Sequence, residues 1–243
     1  MLICVNPSTH SILLLSIPRD YYVPFVCNEA PGCPADQNDK LTHSGIFGID
    51  VTEKTLEKVF DTTINYDVRV NFSSVIDIID ALGGIDVNSV DTFDIEGYHF
   101  DPGIIHMDGN MALHFSRERY SFAAGDRERG RNQMRVVQGI IDKALSPAIL
   151  ENYSGILNAV ADSVQMNIST EDIAKLVSMQ LSKPESWNIY TYSVSGGDAH
   201  DFAPALGDVA YVMIPDDLQV KNARMDIQAI LNGEPPAFVS KLN

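Results

Sequence analysis

Ser11-Ile12-Leu13-Leu14-Leu15-Ser16-Ile17-Pro18 is the stretch that decides the fold class. It is short, apolar without alternation, and closed by a proline that cannot join a ladder. That pattern suits a strand buried on both faces. The residues ahead of it, Met1-Leu2-Ile3-Cys4-Val5-Asn6-Pro7, read as part of another strand. Downstream, strand and helix signals take turns. Asp50-Val51-Thr52-Glu53 has the form of a capping box with Asp50 as N-cap, and Leu56, Val59 and Phe60 share a helix face behind it. Tyr66, Val68, Val70 and Phe72 alternate with Asp67, Arg69 and Asn71, the period of a strand. A helix is expected over 73–82, stopped by Gly83-Gly84, and a strand over 85–90. Asp108 caps a short helix, a long helix runs over 126–145, and others cover 148–164, the residues after Ser169, and 218–231. Strands are expected over 187–194 and 209–214. This alternation argues one α/β domain over 1–243, with helices on both sides of a sheet.

Composition removes several function classes. The 243 residues carry 17 Lys+Arg against 33 Asp+Glu, a formal charge of −16. Coating nucleic acid requires a broad basic face, and no helix-turn-helix with a basic recognition helix is legible. No apolar run approaches the roughly 20 residues of a bilayer-crossing helix, and no secretory leader opens the chain. Cys27 and Cys33 flank the turn-rich Asn28-Glu29-Ala30-Pro31-Gly32. They could form a local disulfide, which implies an oxidising compartment, or stay as two loop thiols. Cys4 reads as core.

Positive charge is scarce and unevenly spread. Of nine arginines, six fall within 117–135: Arg117, Arg119, Arg127, Arg129, Arg131 and Arg135. The acids there are Glu118, Asp126 and Glu128. Guanidinium concentrated in an acidic protein suits a local anion site, because its planar fork matches phosphate oxygens. On a helix starting near Asp126, Asp126, Arg129 and Gln133 share one face, and Arg127, Arg131 and Arg135 share the next. A solvated basic face with surface ion pairs accounts for the same spacing. Arg19-Asp20 follows a strand end, where open α/β sheets place ligands; a surface turn fits equally. Asp39-Lys40 sits in a polar loop. His99, His106 and His114 are too irregularly spaced for a helical metal pair.

The motifs resemble one family. Ser16-Ile17-Pro18-Arg19-Asp20, the loop Asp39-Lys40-Leu41-Thr42-His43-Ser44-Gly45, the segment from Tyr66 to Phe72 with Asp80-Ala81-Leu82-Gly83-Gly84-Ile85-Asp86-Val87, the run from Asp108 to Arg119, and Asp126-Arg127-Glu128-Arg129-Gly130-Arg131-Asn132-Gln133 follow in the order of the LytR–CpsA–Psr pattern. The resemblance implies a three-layer α-β-α fold with a mixed central sheet. It also implies a phosphotransferase that moves a glycopolymer, such as teichoic acid or capsular polysaccharide, from a polyprenyl pyrophosphate carrier onto peptidoglycan.

By motif position, Arg19, Lys40, Arg117, Arg119, Arg129 and Gln133 hold the pyrophosphate. Arg19 and Asp126 are the catalytic positions, with Asp126 orienting the arginines beside it. The family is magnesium-dependent, uses a long apolar groove for the lipid, and sits on the outer face of the membrane of mostly Gram-positive bacteria. Its metal-binding and base aspartates, like its membrane anchor, belong to a segment ahead of the strand that opens this chain. The expectation is therefore a domain lacking that segment, with no metal ligands after Met1. Two alternatives stay open: a non-catalytic polyprenyl (pyro)phosphate-binding module, and a transcription regulator, which the net charge disfavours.

Overall fold

The computed structural model describes residues 1–123 and 125–240. Its contacts gather into two compact units: Met1–Asn65 together with the chain from Asn188, and Tyr66–Trp187. In chain order the first unit opens with β1 Leu2–Asn6, β2 Ser11–Ser16, β3 Tyr22–Pro24, β4 Asn38–Lys40, α1 Leu41–Ser44 and α2 Ile49–Phe60. The second unit contains β5 Val68–Arg69, α3 Phe72–Ala81, β6 Ile85–Ser89, β7 Phe93–Ile95, β8 Tyr98–Phe100, β9 Gly103–Met107 and α4 Gly109–Arg117. It continues with α5 Asp126–Ala144, α6 Pro147–Glu151, α7 Tyr153–Val160, β10 Gln165–Met166 and α8 Thr170–Ser182. The chain then returns to the first unit with β11 Asn188–Ser193, β12 Gly196–Ala203, β13 Asp208–Pro215 and α9 Asp217–Asn232. Among the described residues no helix is long and apolar enough to cross a membrane.

The first unit is built on β2. Ile12, Leu13, Leu14 and Leu15 are all buried, so both faces of the strand are covered, as its unalternating sequence requires. β1 pairs with it antiparallel and β11 parallel, which makes this three-stranded sheet mixed. Leu13 and Leu15 meet Leu56 and Phe60 of α2 and Val220, Ala223, Ile227 and Ile230 of α9. The side chain of Asp216 caps α9 through the amides of Leu218 and Gln219. β3 pairs with β4, and β12 with β13, each antiparallel.

In the second unit, β6 pairs with β9, and Ile79, Ile85, Phe93, Phe100, Met107 and Phe115 form the core. Asn71 and Ser74 form a capping box at the start of α3. A Cβ at Gly109 would lie 2.5 Å from the carbonyl oxygen of Ile76, so only glycine lets α4 start against α3. At Gly139 a Cβ would come within 2.8 Å of the carbonyl oxygen of Asp86, and glycine there lets α5 lie against β6.

The α/β class follows the sequence, and among the described residues the hydrogen-bonded ladders are small: one of three strands and five of two. Three local expectations change. Gly48, not Asp50, is the N-cap of α2, and Asp50 lies in its first turn, where a carboxylate favours the helix dipole. The alternation at 66–72 yields only the two-residue β5, because Phe72 is already helical behind the Asn71 cap. The helix expected over 148–164 breaks at Asn152 into α6 and α7. Cys27 and Cys33 form the disulfide, and Cys4 stays free, half-buried against the α9 core.

Candidate functional site

In the second unit the cationic residues gather where α4 ends and α5 begins. Asp108 caps α4 by accepting from the amide of Met111, and Arg117 falls in the last turn, where a cation offsets the exposed carbonyls. Its guanidinium stacks 4.6 Å over the half-exposed ring of Phe72. The chain leaves α4 at Glu118, whose buried carboxylate accepts from the amide of Ser121 at 2.7 Å and shapes the loop. Arg119 lies in that loop, its guanidinium 4.5 Å from the Tyr120 ring. The Asp126 carboxylate sits in the first turn of α5. It pairs with Arg129 one turn on and stands 3.9 Å from Arg119. Gln133, another turn along, donates to the carbonyl of Ser116 at 3.4 Å.

Two guanidinium groups from separate stretches therefore meet on one carboxylate, which is itself half-exposed. An ion pair this open is worth little, about 0–1 kcal/mol. A dianionic phosphate offers the same forks more charge and more acceptor oxygens, so the arginines are held in place yet able to turn to an anion. Arg119 and Arg129 thus meet at Asp126, with Gln133 a turn further along α5 at the Ser116 carbonyl and Arg117 at the end of α4 over Phe72.

The other arginines of this stretch do not join them. Arg131 and Arg135 both pair with Glu128, at 2.7 and 2.8 Å, and Arg135 also donates to Asn132. Glu128 and Arg135 are buried. Burial raises the Glu128 pKa, but the bonds from Arg135 and Arg131 outweigh it and leave the net value lowered. The cationic ladder expected at Arg127, Arg131 and Arg135 is therefore partly neutralised by Glu128; Arg127 and Arg131 are exposed and Arg135 is buried.

In the first unit, Asp20 takes both neighbouring cations: Lys40 at 3.1 Å and Arg19 at 3.5 Å. Arg19 is the more exposed of the two. Lys40 is the last residue of β4, opposite Tyr22 of β3, and its position depends on Asp39. The Asp39 carboxylate is fully buried. It accepts from the Lys40 amide at 2.6 Å, from His43 Nδ1 at 2.7 Å and from the Ala205 amide at 2.7 Å. The sequence marks Asp39 only as a loop residue; its three bonds make it the anchor of β4, α1 and the β12–β13 turn. Phe72 and Glu128 were likewise missed. A signal for Glu128 exists in its spacing of three and seven residues from Arg131 and Arg135.

The β12–β13 hairpin is held at several points. Tyr21 bridges Met213, and the Met213 amide donates to the carbonyl of Asp20. The Tyr22 hydroxyl donates to the carbonyl of Phe202 at 2.8 Å; burial, then the Asp201 and Asp39 carboxylates, raise its pKa and keep it protonated. Among the described residues no three His, Cys, Asp or Glu side chains converge as metal ligands. His99, His106 and His114 each face carboxylates of the second unit.

A model of the LytR_cpsA_psr family matches residues 1–224, spanning segments of both units. The polyisoprenyl-teichoic acid--peptidoglycan teichoic acid transferase TagU of Bacillus cereus (strain AH820) is 34% identical over 220 residues, covering 89% of this chain and 67% of that protein. The crystal structure of B. subtilis TagV aligns with a TM-score of 0.76 at 25% identity, covering 96% of this chain and 88% of that one. B. subtilis TagU aligns with a TM-score of 0.68 at 26% identity, covering 97% and 91%.

Proposed function

The chain belongs to the LytR_cpsA_psr family, and from that premise we propose that it is a phosphotransferase carrying a glycopolymer of the teichoic-acid class from a polyprenyl pyrophosphate to peptidoglycan. A hydroxyl of the acceptor glycan attacks the sugar-side phosphorus. The bond from that phosphorus to the bridging oxygen breaks, polyprenyl monophosphate leaves, and the hydroxyl proton passes to a base. Negative charge grows on the non-bridging and leaving oxygens, and fixed guanidinium groups stabilise it there.

The observation that carries this reading is the meeting of Arg119 and Arg129 on the exposed carboxylate of Asp126. Arg117, Arg119, Arg129 and Gln133 take diphosphate oxygens, with Asp126 orienting the arginines. Arg19 and Lys40 act as the family pattern assigns them. The reaction belongs on the outer face of the cell membrane, where both substrates meet. Magnesium, which the family pattern implies, would neutralise diphosphate charge. The described residues offer no cluster of three ligands for it, so no step here runs through the metal.

The test is a titration with a polyprenyl pyrophosphate. Each charge-assisted bond to a phosphate oxygen is worth about 1.5–3 kcal/mol. Arg117→Ala or Arg129→Ala therefore weakens binding roughly 10- to 100-fold with the fold intact. Unchanged affinity in both variants would remove the site. Tight binding without glycopolymer transfer would favour the binding-module alternative.

A further inference from the structure

The β12–β13 hairpin carries a feature that the phosphate chemistry leaves unused. Cross-strand register places Asp198 opposite Met213, His200 opposite Tyr211 and Phe202 opposite Val209, so all six share one face. Phe202 is 50% and Val209 60% exposed, and His200 and Tyr211 are exposed with them. On the opposite face Ala203 and Val212 are fully buried while Asp201, Asp208 and Ile214 are exposed, and Met213 on the first face packs against the core of the first unit.

Three of the exposed side chains hold one another in position. The Tyr211 hydroxyl donates to Asp198 at 2.7 Å, and the His200 ring meets the Tyr211 ring edge to face at 6.0 Å. The backbone beneath is pinned by the Tyr22 hydroxyl at Phe202 and by Asp39 at Ala205. At one edge the Lys40 ammonium stands 5.9 Å from the centre of the Tyr211 ring.

We propose that this face binds the uncharged amino-sugar chain of the acceptor glycan, an inference that rests on the transferase reading for its partner. Rigid rings with electron-rich faces stack on the C–H face of a pyranose, and the ordering cost was met on folding. The Asp198 carboxylate accepts from sugar hydroxyls, and Val209 offers apolar surface to an N-acetyl methyl group. Charge selects between the two glycans of the reaction. Residues 196–215 hold Asp198, Asp201 and Asp208 and no lysine or arginine. Such a surface repels a phosphate-rich polymer and admits a neutral one. Because the ring of Tyr211 adjoins Lys40, sugar bound here lies next to one of the cations assigned to the diphosphate.

The probe is the uncharged β-1,4-linked N-acetylglucosamine tetramer, titrated into the full chain by calorimetry and by amide chemical-shift mapping. Binding is expected, with shifts centred on 198–202 and 209–211. Phe202→Ala and Tyr211→Ala should each weaken it tenfold or more, and Tyr211→Phe, which keeps the ring, by less. Phe202→Ala should leave inorganic pyrophosphate affinity unchanged. An oligomeric glycerol phosphate should bind the hairpin more weakly than the tetramer.

No binding of the tetramer, shifts confined to other residues, tetramer affinity unchanged from the unsubstituted chain in both alanine variants, or tighter binding of the glycerol phosphate would each overturn the proposal. Tetramer binding at the hairpin without any pyrophosphate binding would instead overturn the transferase reading and leave the sugar face standing.

Discussion

Replacing Asp39 tests how the first unit holds Lys40 and the hairpin. Its carboxylate is fully buried and accepts three hydrogen bonds of 2.6–2.7 Å, two from backbone amides far apart in sequence and one from His43. Asp39→Asn keeps Oδ1 as acceptor for the Lys40 amide and His43. At the Oδ2 position it can present an amide N–H to the Ala205 N–H, so one charge-assisted bond is lost and a buried donor is left unmet. With about 1.5–3 kcal/mol for such a bond and a desolvation cost of similar size, the loss is about 3 kcal/mol. For a chain of this size that lowers Tm by roughly 6–12 °C. Asp39→Ala strands all three donors and should cost more. Thermal unfolding followed by circular dichroism measures both. A shift under about 2 °C for Asp39→Asn would refute the assignment of Asp39 as the anchor.

Glu128→Ala removes the partner of the buried Arg135 and should cost about 3–5 kcal/mol in urea unfolding, with m unchanged; a loss below about 1 kcal/mol would contradict the buried pair. The lowered pKa of Glu128 also gives a pH dependence: its contribution is present above the unfolded carboxylate pKa and fades as pH falls through the folded one, so Glu128→Gln should flatten the acid limb of the stability curve. His99 has the opposite sign. The hydrogen bonds that His99 donates to Asp94 and then to Asp101 raise its pKa, so its contribution is full below about 6.5 and is lost as pH rises through the raised folded value. NMR titration of the imidazole should show this, and Asp94→Asn should move the midpoint down; an unmoved midpoint would count against the pairing.

What the sequence made legible was whatever depends on local pattern. The unalternating run at β2, the cap at Asp108 and the Gly83 stop all state their structure within one or two turns. β3, β4, β7 and β8 span three residues each, too short for a period to register. β12 reads Gly-Gly-Asp-Ala-His-Asp-Phe-Ala, poor strand material whose conformation comes from pairing with β13. At the site, the crowding of arginines within 117–135 is legible in the sequence, and the structure adds that Arg119 and Arg129 meet on Asp126. That Arg131 and Arg135 stand apart depends on Glu128 being buried, which no spacing rule encodes. Asp39 was invisible for the same reason: its third partner, Ala205, lies 166 residues away.

The proposed function stands on Arg117, Arg119 and Arg129 receiving the diphosphate of the carrier lipid. A crystal structure of the chain soaked with farnesyl pyrophosphate, a short soluble polyprenyl analogue, tests it most directly. Diphosphate density is expected in contact with the guanidinium groups of Arg119 and Arg129, with Asp126 displaced from at least one of them. Density for the ligand elsewhere, with both arginines still closed on Asp126, would contradict it.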